Sequence, residues 1–410
     1  MSKRRKKKRS SKTKRWGIIF GIELVLILIL IPVVFVYAKL SLIQTASASD
    51  VDKANIVINN DVDATTQKAL KGYRNIALFG VDSRDGSLQT GARSDSIMVI
   101  SINQETKDVK ITSIYRDTCL KIPGYGFSKA THAYAYGGAE LSMSMLNTNL
   151  DLDITEFATV DFGVLAKIID AVGGIDLDIS DAEYSLINPL IDEQNSVTGS
   201  DSEYISGPGY QHVNGTQATA YARIRKIDSD FKRAERQRIV LSKVFEEAKS
   251  ANIGTLLNII DTILPEVYTN MTSTDLISLA KDIFNYNIAD QTGWPFEKET
   301  GSLPSDGLSY VFADSLEQNV KELHEYLFDN EDYNPSSTVS DISYELYNET
   351  GYQTQKALPS RKRLFFISYS SFLILLLLFL YLSLEHFPAS LHSLSDRCRL
   401  QIQQFTDLLR

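Results

Sequence analysis

Apolar residues first gather in one unbroken block, Trp16–Ala38, interrupted by a single acid at Glu23. At about 1.5 Å per residue, a helix of this length crosses a roughly 30 Å hydrocarbon layer, so the block predicts a membrane anchor. A signal peptide would have a shorter apolar core. Residues 39–70 are polar with few aromatics and predict a spacer. Order is expected from Tyr73 on. Asn75–Asp82 is a short apolar run ending in a turn, and Ser96–Asn103 and Asp108–Ile114 alternate as two strands of a hairpin. Gly138–Leu150 follows as helix, Glu156–Val160 as strand, Phe162–Ala171 as helix and Gly174–Ile179 as strand. Asp181–Pro208 is polar and predicts an irregular surface insertion. Helices are then expected at Asn214–Tyr221, Asp230–Ser250, Ile253–Ile263, Thr274–Tyr286 and Leu316–Phe328. The fold class is α/β: a layered α-β-α domain over residues 71–255, its central mixed sheet flanked by helices, with a helical C-terminal part at 256–330.

Residues 331–353 predict a flexible polar segment. Composition then changes abruptly, and Leu364–Leu384 forms a second apolar stretch long enough to span a bilayer. Its outer flank, Arg361-Lys362-Arg363, runs against the positive-inside preference. A reading-frame artefact, a truncated fusion and a second membrane segment all account for residues 354–410.

Charge sharpens this picture. The first fifteen residues hold ten basic side chains and no acid, which keeps the N-terminus in the cytoplasm and puts the bulk of the chain outside. Between residues 39 and 360 the net charge is about −21, so nucleic acid is excluded as a partner and any anionic substrate needs a local basic pocket. The two cysteines, Cys119 and Cys398, imply no disulfide framework. No G-x-S-x-G elbow or His-rich zinc spacing occurs, which counts against lipase and protease readings.

The sign inverts locally at Tyr221–Arg238, YARIRKIDSDFKRAERQR. A basic stretch is often a solvated helix face. Here Arg223 and Arg225 alternate in an expected extended segment, while Arg233 and Gln237 share one face of the helix opened by Asp230. Paired guanidinium forks beside helix N-terminal amides suit a phosphate or pyrophosphate. Three strand edges add further candidates: Asp82 with Arg84, Arg93 with Asp95, and Arg116 with Asp117. Aspartates there commonly cap turns, but two at one sheet edge can hold Mg²⁺, which takes oxygen ligands and keeps some of its waters. Arginines neutralising the remaining phosphate oxygens would complete a phosphoryl-transfer site.

The ordered motifs GVDSR, RSDSIMVISI, ITSIYRDT, KATHAYAYGG, VDFGVLAKIIDAVGGIDLDI and GYQHVNGTQATAYARIRKIDSDFKRAERQ resemble the LytR-CpsA-Psr family of membrane-anchored cell-wall enzymes over roughly residues 73–250. The resemblance implies transfer of a glycopolymer, teichoic acid or capsular polysaccharide, from a polyprenyl pyrophosphate carrier to peptidoglycan in a Gram-positive-type envelope. Motif by motif, it implies Asp82 and Asp95 as ligands of Mg²⁺ or Mn²⁺. It implies Arg93, Arg116, Arg223, Arg225, Arg233 and Gln237 as pyrophosphate contacts, and Arg116, Arg225, Asp230 and Arg233 as the catalytic set. It further implies an apolar lipid tunnel between sheet and helices, lined around Phe162–Ile169 and Val240–Phe245. Tyr115 departs from the pattern, standing where the family more usually has proline before Arg-Asp. His132 reads as a structural donor rather than a base, because no nucleophile partners it. A polyprenyl pyrophosphate hydrolase and a non-catalytic lipid-binding or regulatory wall protein are the competing functions, and turnover separates them.

Overall fold

A computed structural model of the chain describes residues 51–350, without 83–87, 226, 228, 252–254 and 256–265. The expected basic tail, anchor and second apolar stretch lie outside these residues, as do Arg84 and nearly all of the Ile253–Ile263 helix. Among the described residues no helix is long and apolar enough to cross a membrane.

Structure begins earlier than the polarity of residues 39–70 predicts. A 3-10 turn at Lys53–Asn55 leads to helix α1, Ala64–Lys71, whose first amides are capped by the Asp63 carboxylate. Val51, Ile56 and Leu70 are buried in the main core, three apolar anchors too sparse to show a period. Strands β1 (Tyr73–Val81), β2 (Ser94–Asn103) and β3 (Asp108–Ile114) follow, then a small hairpin, β4 (Cys119–Ile122) and β5 (Gly126–Lys129). Helix α2 spans Ala130–Leu150 and breaks at Gly137–Gly138. Gly138 has φ +63°, and a Cβ there would stand 2.6 Å from the Gln89 carbonyl, so only glycine fits.

Next come β6 (Glu156–Asp161), α3 (Phe162–Val172), β7 (Ile175–Ile179), α4 (Asp181–Thr198), β8 (Gly209–Val213), α5 (Gly215–Ala222) and α6 (Asp230–Ser250). The insertion expected to be irregular is therefore helical over most of its length. Ser180 and Glu183 close a reciprocal capping box that starts α4, a signal strong enough to outweigh Pro189 inside the helix. The remaining elements are β9 (Tyr268–Thr269), α7 (Ser273–Lys281), β10 (Asn287–Trp294), β11 (Lys298–Ser302), β12 (Ser309–Ala313), α8 (Leu316–Phe328) and α9 (Ser337–Thr350). The C-terminal part is thus not all helical, and the segment expected to be flexible carries α9, whose Val339 and Ile342 are core residues. The predicted Thr274–Tyr286 helix stops at Lys281.

The central sheet is mixed, ordered β10-β3-β2-β1-β6-β9. β1, β2 and β3 are antiparallel neighbours, while β6 runs parallel to β1 and β10 parallel to β3. Alternation along β1 sorts the two faces. Ala77, Phe79 and Val81 pack with Met143, Leu146 and Val320 of α2 and α8. Ile76 and Leu78 pack on the opposite side with Leu241 and Phe245 of α6. A third core joins α3, α4, α5 and the β7/β8 ribbon around Ile169, Ile187, Ile191, Val240 and Val244. Of the residues expected to line an apolar tunnel, Leu241 and Phe245 face the sheet, whereas Ile169, Val240 and Val244 pack in this third core. Gly215 permits the close approach of α5 to α3, since a Cβ there would overlap the Ala166 carbonyl.

Candidate active site

Strand direction brings the acidic strand ends together. Val81 is the register partner of Ser94 on β2 and of Asp161 on β6, so Asp82 and Asp95 stand at one sheet edge. Because β3 is antiparallel to β2, Arg116 and Asp117 leave the sheet at that same edge. Thr131 ties α2 to it by donating its hydroxyl to the Ser94 carbonyl at 2.9 Å.

Onto this edge falls the start of α6. Asp230 in its first turn suits the positive end of the helix dipole, and one turn on Arg233 points back across the strands. Arg116 Nη1 donates to Asp95 Oδ1 at 2.7 Å, and its Nε lies 3.4 Å from Asp230 Oδ2. Arg233 Nη2 lies 3.1 Å from Asp230 Oδ1 and donates to the Asp95 carbonyl at 3.1 Å, while its Nη1 stands 3.8 Å from Asp95 Oδ2. Arg225 Nη2 approaches Asp230 Oδ1 at 3.8 Å from the solvent side. Three guanidiniums thus surround two carboxylates.

Burial works against the charge on Arg116, but Asp95, Asp230 and Asp117 outweigh it and hold the guanidinium above its ordinary pKa. Arg233 is more deeply buried. Desolvation pulls it down to about 10 with the help of the positive Arg116 and Arg225, against the pull of Asp230 and Asp95. Both stay charged at neutral pH. The Nε atoms of Arg116 and Arg233 are buried with no hydrogen-bond partner, donors that an arriving anion would satisfy.

The other candidates are distributed around this centre. Arg223 does not extend alongside Arg225. The helix α5 runs to Ala222 and Arg223 keeps helical backbone angles, φ −98° and ψ −5°, because the Asn214–Gln217 capping box starts a helix that the short apolar alternation disguises. Its guanidinium turns to Glu193 Oε1 at 2.8 Å, Gln194 Oε1 at 3.2 Å and the Phe162 ring at 5.3 Å. Arg93 is exposed just before β2, near enough to His132 to help lower its pKa, after burial and ahead of Lys129. Gln237, half-buried, lies one turn beyond Arg233. Asp82 is exposed at the end of β1.

The basic stretch is not a solvated face, because Arg233, Arg236 and Arg238 are all buried. Arg236 pairs with Glu183 of α4 at 2.7 Å and donates to the Ile224 carbonyl at 3.0 Å, a structural role the sequence did not reveal. His132 Nδ1 meets Ser128 Oγ at 2.9 Å, and Lys129 pairs with Asp117 at 2.9 Å. Tyr115 packs its ring against Phe231 at 4.5 Å beneath Lys298 and so fills the corner beside Arg116.

No group of three or more His, Cys, Asp or Glu suited to a metal ion occurs among the described residues. Mg²⁺ takes carboxylate oxygens, with its other positions commonly filled by phosphate oxygens and water. Asp95 Oδ2, with Arg233 at 3.8 Å beyond hydrogen-bonding distance, retains hard-donor capacity towards such an ion.

A model of the LytR_cpsA_psr family matches residues 36–325. The chain is 30% identical over 335 residues to the polyisoprenyl-teichoic acid–peptidoglycan teichoic acid transferase TagU of Oceanobacillus iheyensis, covering 78% of this chain and 96% of that protein. It is 29% identical over 269 residues to an uncharacterized protein of Staphylococcus aureus, spanning 64% of each. The crystal structure of Bacillus subtilis TagV superposes with a TM-score of 0.51 at 27% identity, covering 65% of this chain and 99% of that one. Sequence match and shared architecture agree, and the chain belongs to the LytR-CpsA-Psr family.

Proposed function

We propose that this chain transfers an anionic glycopolymer of the teichoic acid class from a polyprenyl pyrophosphate carrier to peptidoglycan, acting outside the membrane from an N-terminal anchor at residues 16–38. The convergence of Arg116, Arg225 and Arg233 on Asp95 and Asp230 carries the reading. A pyrophosphate needs several bidentate donors held apart from bulk water, and planar guanidiniums supply them. Relatives named as teichoic acid transferases support the substrate class.

In this reading an acceptor hydroxyl attacks the phosphorus next to the polymer. A new P–O bond to peptidoglycan forms, the pyrophosphate P–O bond breaks, and polyprenyl phosphate leaves. Arg116 and Arg233 bind the phosphate oxygens and stabilise charge as it moves to the leaving group. Arg225, Arg93 and Gln237 extend the contact surface, Arg223 stays turned to Glu193 and Gln194, and Asp230 fixes the guanidiniums around the phosphate position. The acceptor proton passes to the released phosphate or to solvent. Asp82 and Asp95 would hold Mg²⁺, which when bound neutralises pyrophosphate charge.

The test is reconstitution of the full chain in lipid nanodiscs with a lipid-linked polymer and peptidoglycan fragments. Polymer joined to peptidoglycan is the expected product, lost in Arg116→Ala. Free phosphorylated polymer as the sole product would make the chain a hydrolase, and bound lipid without turnover would make it a binding protein.

A further inference from the structure

A cleft of about 590 Å³, walled by α3, α4 and α5, reaches Arg223 at the end of α5. Asp82 lines it as well, so it adjoins the sheet edge where phosphate chemistry is expected. We propose that this cleft is the subsite for the neutral glycan strand of the acceptor, a run of N-acetylated hexosamines. The assignment rests on the transferase reading above.

Charge selects against the polymer itself. Among the described residues, Asp82, Asp161, Asp170, Glu193 and Glu266 line the cleft against Lys167 and Arg223. Both cations are already matched, Lys167 to Glu266 at 2.6 Å and Arg223 to Glu193 at 2.8 Å. A chain of phosphodiesters would meet net negative charge there, whereas an uncharged saccharide would not.

Hydrogen-bonding capacity selects for a sugar. Ser200 Oγ donates to Asn195 Oδ1 at 2.7 Å and Thr198 Oγ1 to the Gln194 carbonyl at 2.8 Å, with Thr216 Oγ1 3.1 Å from Ser200 Oγ, so this run of hydroxyls keeps lone pairs that accept from sugar hydroxyls. Gln194 is 1% exposed, and its Oε1 accepts from Arg223 while its Nε2 has no hydrogen-bond partner. A buried amide donor left unpaired is costly, and an acetamido carbonyl or ring hydroxyl entering the cleft would satisfy it. Val197, 64% exposed at the rim, offers an apolar patch to the C–H face of a sugar ring.

The proposal is tested on the full chain in nanodiscs with an uncharged tetrasaccharide of N-acetylglucosamine as probe. Binding is followed by saturation-transfer NMR and transfer by steady-state kinetics. Val197→Trp blocks the cleft from an exposed position and Gln194→Ala removes the buried donor. Each should weaken tetrasaccharide binding by about tenfold or more. Each should raise the acceptor KM similarly while leaving the donor KM within about twofold. Unchanged binding in Val197→Trp overturns the proposal, whatever the stability of Gln194→Ala. A rise confined to the donor KM also overturns it, assigning the cleft to the polymer's own sugars. A wild-type chain that binds the probe through these residues yet transfers nothing removes the transferase reading and leaves the saccharide subsite standing.

Discussion

Arg233 donates to the backbone carbonyl of Asp95 at 3.1 Å, so a side chain of α6 is fastened to the main chain of β2 and not to a carboxylate alone. Arg225, on the same carboxylate of Asp230, makes only a 3.8 Å contact and is exposed. From sequence the two arginines look equivalent, each replaceable by lysine at less than about 1 kcal/mol of stability. Burial separates them. Arg225→Lys keeps that expectation, whereas Arg233→Lys should cost about 1–3 kcal/mol by stranding the Asp95 carbonyl. Both should lose most polymer transfer. Thermal denaturation alongside the transfer assay checks this, and near-normal transfer in both variants would remove the pyrophosphate assignment.

The two expected metal ligands should also part company. Asp82→Ala touches an exposed side chain and should abolish Mg²⁺-stimulated transfer with stability changed by less than about 0.5 kcal/mol. Asp95→Ala leaves Arg116 and Arg233 facing one another without their shared carboxylate, and should cost about 3 kcal/mol besides. Metal titration of activity and denaturant melts read the two effects separately. Full Mg²⁺ stimulation retained in Asp82→Ala would sink its role.

Acid should weaken the fold through His324. Burial pushes this imidazole down to about 4, against the upward pull of the Leu150 carbonyl and the Asp151 charge. Its ring stacks on Tyr333 at 3.7 Å and its Nε2 meets the Leu150 carbonyl at 2.9 Å, leaving Nδ1 buried without a partner. The folded pKa lies below the unfolded one, so the unfolded state binds the extra proton first as pH falls. Stability present above about 6.5 is then lost progressively down to about 4, by about 3 kcal/mol in all. His324→Gln should flatten that slope in urea melts across the window. An unchanged slope would place the acid sensitivity elsewhere.

The basic flank at residues 1–15 predicts that the domain lies outside the cell membrane. Protease added to intact protoplasts should digest residues 51–350. Their protection would place the domain in the cytoplasm.

Legibility varied with how local the signal was. Helix α6 is read correctly from Asp230 to Ser250, because an acid at its start and an apolar stripe along it are features of consecutive residues. The β2–β3 hairpin is legible for the same reason. Strand β10 is not, since NIADQTGW has no alternation and needs none at the sheet margin, where among the described residues it pairs with β3 alone. The capping box at Ser180–Glu183 is a local signal for α4, and Val339, Ile342 and Leu346 are spaced as one face of α9, so both helices are legible in consecutive residues. At the site, the motifs gave the strand ends. Which guanidinium meets which carboxylate depends on sheet order, and no spacing along the chain encodes that β2 sits between β1 and β3 under the start of α6.

Asp151 closes α2 in a left-handed conformation, fully buried. Its two oxygens accept from the Asn59 amide at 2.6 Å, the Tyr333 hydroxyl at 2.5 Å, and the Ser336 amide and hydroxyl at 2.8 and 2.7 Å. One carboxylate therefore buckles the segment entering the domain to the segment leaving it. Tension arriving along residues 51–59 would be borne by this clasp and the α2 terminus before reaching the strand ends that carry the arginines. A fragment cut at residue 330 would leave the buried carboxylate with one of these four donors, so the smallest piece that keeps the clasp whole includes both Asn59 and Ser336.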